Sequence, residues 1–304
     1  MTMVIDRRES LSCEEFARDY MFGSRPVVIG GALRRWRALE RWTPEFFKRE
    51  FGAMTFRIES KEHGQANYET EGGRQFTMNE FIDLVAQSTD ENPAPYFRNR
   101  VLRHEFPSLL ADIQPLPPYV EPNWLPERFA LKRVGQVLNR GSEIELYIGG
   151  RGGAFPVLHY DGAGTHAFLM QIYGRKKFIV YPPDQEPFLY PSPSRVNFSL
   201  INDVERPDLV RFPLFAKAVP ITFILEPGEL VFVPSHWWHT TKMLTPSITL
   251  SINTVNRSNW QELIKFVARN RSSHIAAAAS RIYLTGAGAW RSCRDWGSAG
   301  WRRT

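Results

Sequence analysis

Residues 143–161 read EIELYIGGRGGAFPVLHYD, and the chain keeps that character as far as residue 256. EIELYIG, FPVLHYD, HAFLMQIYG, KKFIVYPP, ITFILEPGE, LVFVPSHW and SITLSINTV are short runs rich in β-branched and aromatic residues, separated by Gly, Pro and Asp turns. Many short strands at near-regular spacing predict a mainly β fold, a double-sheet barrel or jelly roll. The opening stretch ends on His159-Tyr160-Asp161. Residues i and i+2 of a strand point to the same side, so this imidazole and this carboxylate suit one ion at a strand end. A third ligand is expected about eighty residues on, in GELVFVPSHWWHTT (228–241), where His239 is the choice and His236 its rival. Two imidazole nitrogens and one carboxylate oxygen on one side of a metal leave adjacent positions open, the usual site of a non-haem Fe(II) oxygenase.

Before this region the sequence alternates helix and strand signals. Ser12 with Glu15, and Thr77 with Glu80, fit capping boxes that open short helices. Thr43-Pro44 is a helix start leading EFFKREF. SRPVVIGGA reads as a strand at an early edge of the sheet system, MTFRIES as a half-buried strand, and PAPYFRN as a strand-like segment holding Tyr96. Residues 114–126, QPLPPYVEPNWLP, contain five prolines and exclude a regular helix or central strand. They read as an ordered loop that buries Tyr119 and Trp124, with a domain boundary as the alternative. The division is therefore 1–113, an α/β flank contributing to the barrel; 114–257, the catalytic core; and 258–304, C-terminal helices and a basic tail. In the last part NWQELIKFVARN is amphipathic, with Trp260, Leu263, Ile264 and Val267 on one face, and IAAAASRIYL reads as a second helix.

Composition excludes more than it selects. Nine Trp and 21 Phe supply large buried areas to a core. Cys13 and Cys293 offer neither a disulfide framework nor a cysteine zinc site, which fits a cytoplasmic setting. No segment reads as a signal peptide or membrane span. The net charge of +6 comes wholly from residues 269–304, with seven arginines against Asp295. Nucleic-acid binding is therefore an expectation for the tail alone, where Trp290, Trp296 and Trp301 accompany the arginines; a solvated tail is the plainer reading.

HYD, GRKKFIVYPPDQEPFLYPSP, RFPLF, PGELVFVPSHWWH and SITLSIN together resemble the JmjC-type, cupin-like hydroxylases dependent on Fe(II) and 2-oxoglutarate, among them asparaginyl and lysyl hydroxylases. The resemblance is dense over 143–256, looser over 10–110, and stops before the last forty residues. It implies a double-stranded β-helix core with helical flanks and a homodimer through C-terminal helices, here residues 258–284. It assigns His159, Asp161 and His239 to the metal, and Lys176 and Tyr96 to the far carboxylate of 2-oxoglutarate. Thr165 and Ser251 fall where relatives place hydroxyls near the cosubstrate, and Asn253 where they place an amide near the metal. GAGTHAF, after Asp161, is two residues longer than in the asparaginyl hydroxylase, which bears on the contacts around Thr165. The implied reaction consumes O2 and 2-oxoglutarate and hydroxylates an unactivated C–H bond. A protein side chain is the first expectation for substrate, a small metabolite or a tRNA base the alternatives. The insertion 184–216 and the loop 114–126 are expected to form substrate walls.

Each signal has a blander reading. His-x-Asp alone is weak in a chain with seven histidines. GRKK can be a solvated hairpin end, Trp237 and Trp238 core fillers, and His236 a rim histidine. A cupin working without 2-oxoglutarate, or a binding module without catalysis, remains open at this stage.

Overall fold

The computed structural model describes residues 4–58, 74–125, 143–155, 157–269 and 285–288. The strands are β1 (Asp6–Arg8), β2 (Val27–Ile29), β3 (Thr55–Ile58), β4 (Arg74–Thr77), β5 (Phe97–Val101), β6 (Ile144–Gly149), β7 (His166–Tyr173), β8 (Lys176–Tyr181), β9 (Ile221–Leu225), β10 (Leu230–Val233), β11 (Trp238–Met243) and β12 (Ser247–Thr254). The helices are α1 (Cys13–Phe16), α2 (Ala38–Arg41), α3 (Pro44–Phe51), α4 (Met78–Gln87), α5 (Leu102–Glu105) and α6 (Trp260–Arg269). A large sheet runs β1-β2-β10-β7-β12-β6-β5, a small one β11-β8-β9, and β3 pairs with β4 alone. This is the mainly β, jelly-roll architecture that the spacing of short strands predicts.

Period-two patterning decides what each face of the large sheet meets. Phe168, Met170 and Ile172 of β7, Leu230 and Phe232 of β10, and Ile248, Leu250 and Ile252 of β12 point outward. There they pack with Phe46 and Phe47 of α3 and Phe81 and Val85 of α4. Val28, Ala167, Val231 and Val233 point inward, against Phe178, Val180, Phe223 and Leu225 of the small sheet. Full burial of side chains of this size contributes about 1.5–3 kcal/mol each. On β6 and β12 the inward row changes chemistry: Glu145 lies beside Ser251, and Tyr147 beside Thr249. The polar half of the inner face is where the site forms.

Both capping boxes are present, and Thr43 caps α3 with Pro44 in its first turn. Residues 114–125 carry cis Gln114–Pro115 and Glu121–Pro122. Tyr119 donates to Leu11 O at 2.7 Å and Trp124 packs edge-on to Trp260 at 5.5 Å, so both aromatics are buried as expected. The insertion closes on itself through Leu189, Ile201, Phe212 and Phe215, which pack against Leu158, Tyr181 and Trp238.

Two expectations need correcting. The strand in SRPVVIGGA is β2, which is interior: β1 pairs with it in parallel and takes the edge. A three-residue strand reading DRR has no hydrophobic pattern to announce it. FPVLHYD is not a continuous strand either, but meets its neighbours through separate bridges, Ala154 to Lys242 and His159 to both Phe198 and His239. A proline within that run has no N–H for a ladder. IAAAASRIYL and nearly all of the basic tail lie outside the described residues. Among the described residues, no helix is long and apolar enough to cross a membrane.

Candidate metal centre

His159 and His239 are joined main chain to main chain. His159 N donates to His239 O at 3.1 Å and His239 N to His159 O at 2.6 Å, which sets the two rings side by side with centroids 4.5 Å apart. Directly opposed residues of an antiparallel pair bring their side chains within reach in this way. Each ring then turns its Nδ1 to the carbonyl two residues back: His159 to Val157 O at 3.1 Å, His239 to Trp237 O at 3.0 Å. A carbonyl only accepts, so Nδ1 carries a proton, and in the neutral ring the Nε2 lone pair is the one free for a metal. Phe155 stacks on the His159 ring at 4.4 Å, and the Phe198 ring lies at 5.9 Å, inclined to it by 23°.

Asp161, two residues along, brings Oδ1 to 3.7 Å from His159 Nε2. One ligand atom from each of His159, Asp161 and His239 lies within 4.8 Å of the other two. Burial, with His239 alongside, holds the His159 pKa well below its ordinary value, so the ring is neutral. Burial raises the Asp161 carboxyl, while His239 and an Asn253 hydrogen bond pull it back. Two imidazoles oriented by backbone carbonyls and one carboxylate are a donor set that fits a first-row divalent ion.

The triad opens on a cavity of about 590 Å³, lined by all eight residues singled out from the sequence. Lys176, the first residue of β8, is 2% exposed, with Nζ 2.5 Å from Thr249 Oγ1 and 3.4 Å from Tyr96 OH. Among the described residues no carboxylate pairs with it, and burial draws its pKa from 10.5 down to about 7. A lone buried ammonium is costly and calls for an anion. Thr165 does not reach it: its hydroxyl accepts from Asn253 Nδ2 at 3.0 Å and donates to Gly162 O at 3.3 Å. Ser251 faces the cavity beside Glu145 and Leu169. The hydroxyl on Lys176 belongs to Thr249, which sequence reasoning missed although it lies two residues before Ser251 on the same face.

His236 stays out of the triad, on the cavity wall, with Nε2 3.1 Å from Glu262 of α6. His166 is buried and its pKa is lowered to about 3 by burial, so it is a neutral ring that accepts from Ser235 N and donates to Ser258. Asn259, also unforeseen, donates to Gly164 O at 2.9 Å and Thr254 O at 3.1 Å, and so ties α6 to the turn after Asp161. Arg195 and Phe198 of the insertion and Leu125 of the proline-rich loop wall the cavity.

Residues 13–262 match the family described as the cupin-like domain. The chain is 32% identical to Lysine-specific demethylase 8 of Xenopus tropicalis over 246 residues, 79% of this chain and 50% of that protein. It is 29% identical to JmjC domain-containing protein D of Dictyostelium discoideum over 253 residues, 79% of this chain and 53% of that protein. HSPB1-associated protein 1 of Rattus norvegicus is 44% identical over 128 residues, 40% of this chain and 25% of that protein. The chain thus spans about half the length of the first two relatives and a quarter of the third.

Proposed function

The chain belongs to the cupin-like domain family, on its JmjC side, and from that premise we propose that it is an Fe(II)- and 2-oxoglutarate-dependent oxygenase that hydroxylates an unactivated C–H bond on a protein side chain. The observation that carries this reading is one cavity with two kinds of site: a His-Asp-His cluster, and a buried lysine that has no carboxylate partner among the described residues.

His159, Asp161 and His239 would hold the ion. With 2-oxoglutarate and O2 bound, such an ion supplies the oxidant that places one oxygen atom in the substrate C–H bond and the other in succinate, with loss of CO2. The protein's part is placement. Lys176 Nζ and Tyr96 OH hold the far carboxylate of the cosubstrate, and the backbone carbonyls of Val157 and Trp237 keep both imidazoles in the ligating tautomer. Asn253 steadies the Asp161 carboxylate and is itself tied to Thr165. Arg195 of the insertion and Glu262 and Lys265 of α6 line the cavity, and substrate would enter between them.

Similarity to Lysine-specific demethylase 8 favours a second outcome of the same chemistry. Hydroxylation of an N-methyl carbon gives a product that falls apart to the free amine and formaldehyde. Incubation with 2-oxoglutarate, Fe(II) and peptide pools, methylated and not, separates the two: a gain of one oxygen atom by mass marks hydroxylation, formaldehyde marks demethylation. Absence of succinate from wild type under all conditions would count against both. Dimerisation through 258–284 is also a proposal, tested by sedimentation. The apolar face of α6 already packs on Trp124, Leu125 and Val255, so a partner would meet other surfaces of that segment.

A further inference from the structure

We propose that Gln171 is a positioning residue of the cosubstrate pocket: it fixes the direction of the Thr249 hydroxyl, makes that hydroxyl an obligate acceptor for Lys176, and so aims the ammonium at a bound dicarboxylate. The inference rests on the reading of Lys176 as the cosubstrate anchor and goes one layer behind it.

Gln171 lies on β7 opposite Thr249 of β12 and is fully buried. Its Nε2 is 2.8 Å from Tyr173 O, 2.9 Å from Gly174 O and 2.8 Å from Ser247 Oγ. Two of these three are backbone carbonyls, which accept and never donate. The amide therefore has one orientation, since a flip would set its own oxygen against both carbonyls. Oε1 must then face Thr249 Oγ1, which lies 2.8 Å away. An amide oxygen cannot donate, so the single Thr249 proton is committed to it. Only lone pairs remain on Thr249 for Lys176 Nζ, at 2.5 Å. One ammonium hydrogen goes to Thr249, and the other two are left for Tyr96 and the cavity.

The direction of a proton matters here because the groups behind the Lys176 ammonium are buried, with almost no surface open to solvent. Gln171, Ser247, Thr249 and Lys176 are each 2% exposed or less. A hydroxyl free to rotate could donate to a neutral amine as readily as it accepts from an ammonium. A hydroxyl with its proton committed favours only the charged form, the form that holds a carboxylate.

The test is calorimetric titration of 2-oxoglutarate into the Mn(II)-loaded protein between pH 6 and 8.5, for wild type, Gln171→Met, Thr249→Val, their double variant, Thr249→Ser and Lys176→Met. Each of Gln171→Met and Thr249→Val is expected to weaken binding about tenfold, the worth of one buried hydrogen bond. Both should also move the pH at which affinity begins to fall to a lower value. Because Gln171 acts through Thr249, the double variant should lose no more than about tenfold, whereas independent roles would multiply to about a hundredfold. Thr249→Ser, which keeps the hydroxyl, should bind like wild type. Gln171 also ties the Tyr173–Gly174 turn, so Gln171→Met is compared with Gln171→Glu. That side chain, when protonated, still offers an acceptor to Thr249 and a proton to the carbonyls, and should bind near wild type at pH 6 even if the methionine variant fails to fold. Multiplicative losses, an unchanged Gln171→Met affinity, or a Gln171→Glu that has lost binding at pH 6 would overturn the inference. Undiminished binding by Lys176→Met, or none by wild type, would overturn the cosubstrate reading itself.

Discussion

Replacing Lys176 by methionine should make the protein more stable at pH 6, and the gain should shrink as the pH rises. Lys176 is 2% exposed, without a carboxylate partner among the described residues, and burial lowers its pKa from 10.5 to about 7. At about 1.4 kcal/mol per pH unit, that gap puts the cost of holding the ammonium at roughly 5 kcal/mol. Methionine has similar length and no charge, and Thr249 keeps its bond to Gln171. Replacing buried ionic groups by apolar ones of like volume typically stabilises by about 1–4 kcal/mol, and the gain at pH 6 should fall in the upper half of that range. The sign of the pH dependence follows from proton counting. The unfolded lysine keeps its proton up to about 10.5, and the folded one releases it near 7. Between those values the unfolded wild type binds more protons, so its stability climbs with pH by up to about 1.4 kcal/mol per unit. The variant lacks the group, and every other titration is common to both proteins. Urea unfolding of the pair without cosubstrate at pH 6, 7.5 and 9 measures the difference. Saturating 2-oxoglutarate should stabilise wild type and leave Lys176→Met unmoved. A variant less stable than wild type at pH 6, or a difference flat across pH, would refute the assignment of Lys176 as an uncompensated buried cation.

Three further outcomes are expected. His159→Ala and Asp161→Ala should abolish succinate formation while the circular dichroism spectrum stays native, because the His159–His239 bridge is made by backbone atoms; loss of the folded spectrum would show that the side chains hold the barrel. Asn259→Ala removes partners from Gly164 O, Thr254 O and Asn256 N in a buried setting, at a cost of about 2–4 kcal/mol. Calorimetry should show a lower Tm, and Mn(II) titration a weaker site, since the turn leads directly from Asp161; unchanged values in both would detach α6 from the metal. Gly164→Ala meets a backbone φ of +66° and would set its Cβ 2.4 Å from Cβ of Glu262, so about 2 kcal/mol or more should be lost and hydrogen exchange in α6 should quicken; unaltered exchange would mean that the helix is docked by other contacts.

What the sequence discloses and what it hides divide along physical lines. The metal cluster is legible because His159 and Asp161 lie within one extended segment, and because His239 follows a strand signal that fixes its approximate place. Lys176 is legible only with the resemblance, since GRKK reads equally well as an exposed turn. Thr249 and Gln171 are hidden for a different reason. A polar residue in the inward row of a strand looks the same as one in the outward row until the position of the facing sheet is known, and that is a tertiary fact. Asn259 is hidden likewise: at a helix start it reads as a cap for its own helix, whereas its side chain binds Gly164 O, Thr254 O and Asn256 N. β1 is missed because three residues carry too little periodicity to register, and the run before His159 is over-read as a strand because its β-rich composition masks the break that a proline makes in it.

The large sheet explains why the site can exist where it does. Its outward face is apolar over Phe168, Met170 and Ile172 of β7, over β10 and over Ile248, Leu250 and Ile252 of β12 and packs against the N-terminal helices, while the inward face is apolar over β2, β10 and the start of β7 and turns polar at Gln171. Those two cores carry enough buried aromatic and branched surface to offset a lone ammonium costing roughly 5 kcal/mol. The inward rows of β6 and β12 are thereby free to hold Tyr147, Thr249, Ser251 and Asn253 in place of core residues. Opposite them stand the segment carrying His159 and the strand carrying His239. A barrel packed apolar across one part of its inner face can leave the rest polar, and here that remainder is where a ligating triad and an anion-seeking lysine share one cavity.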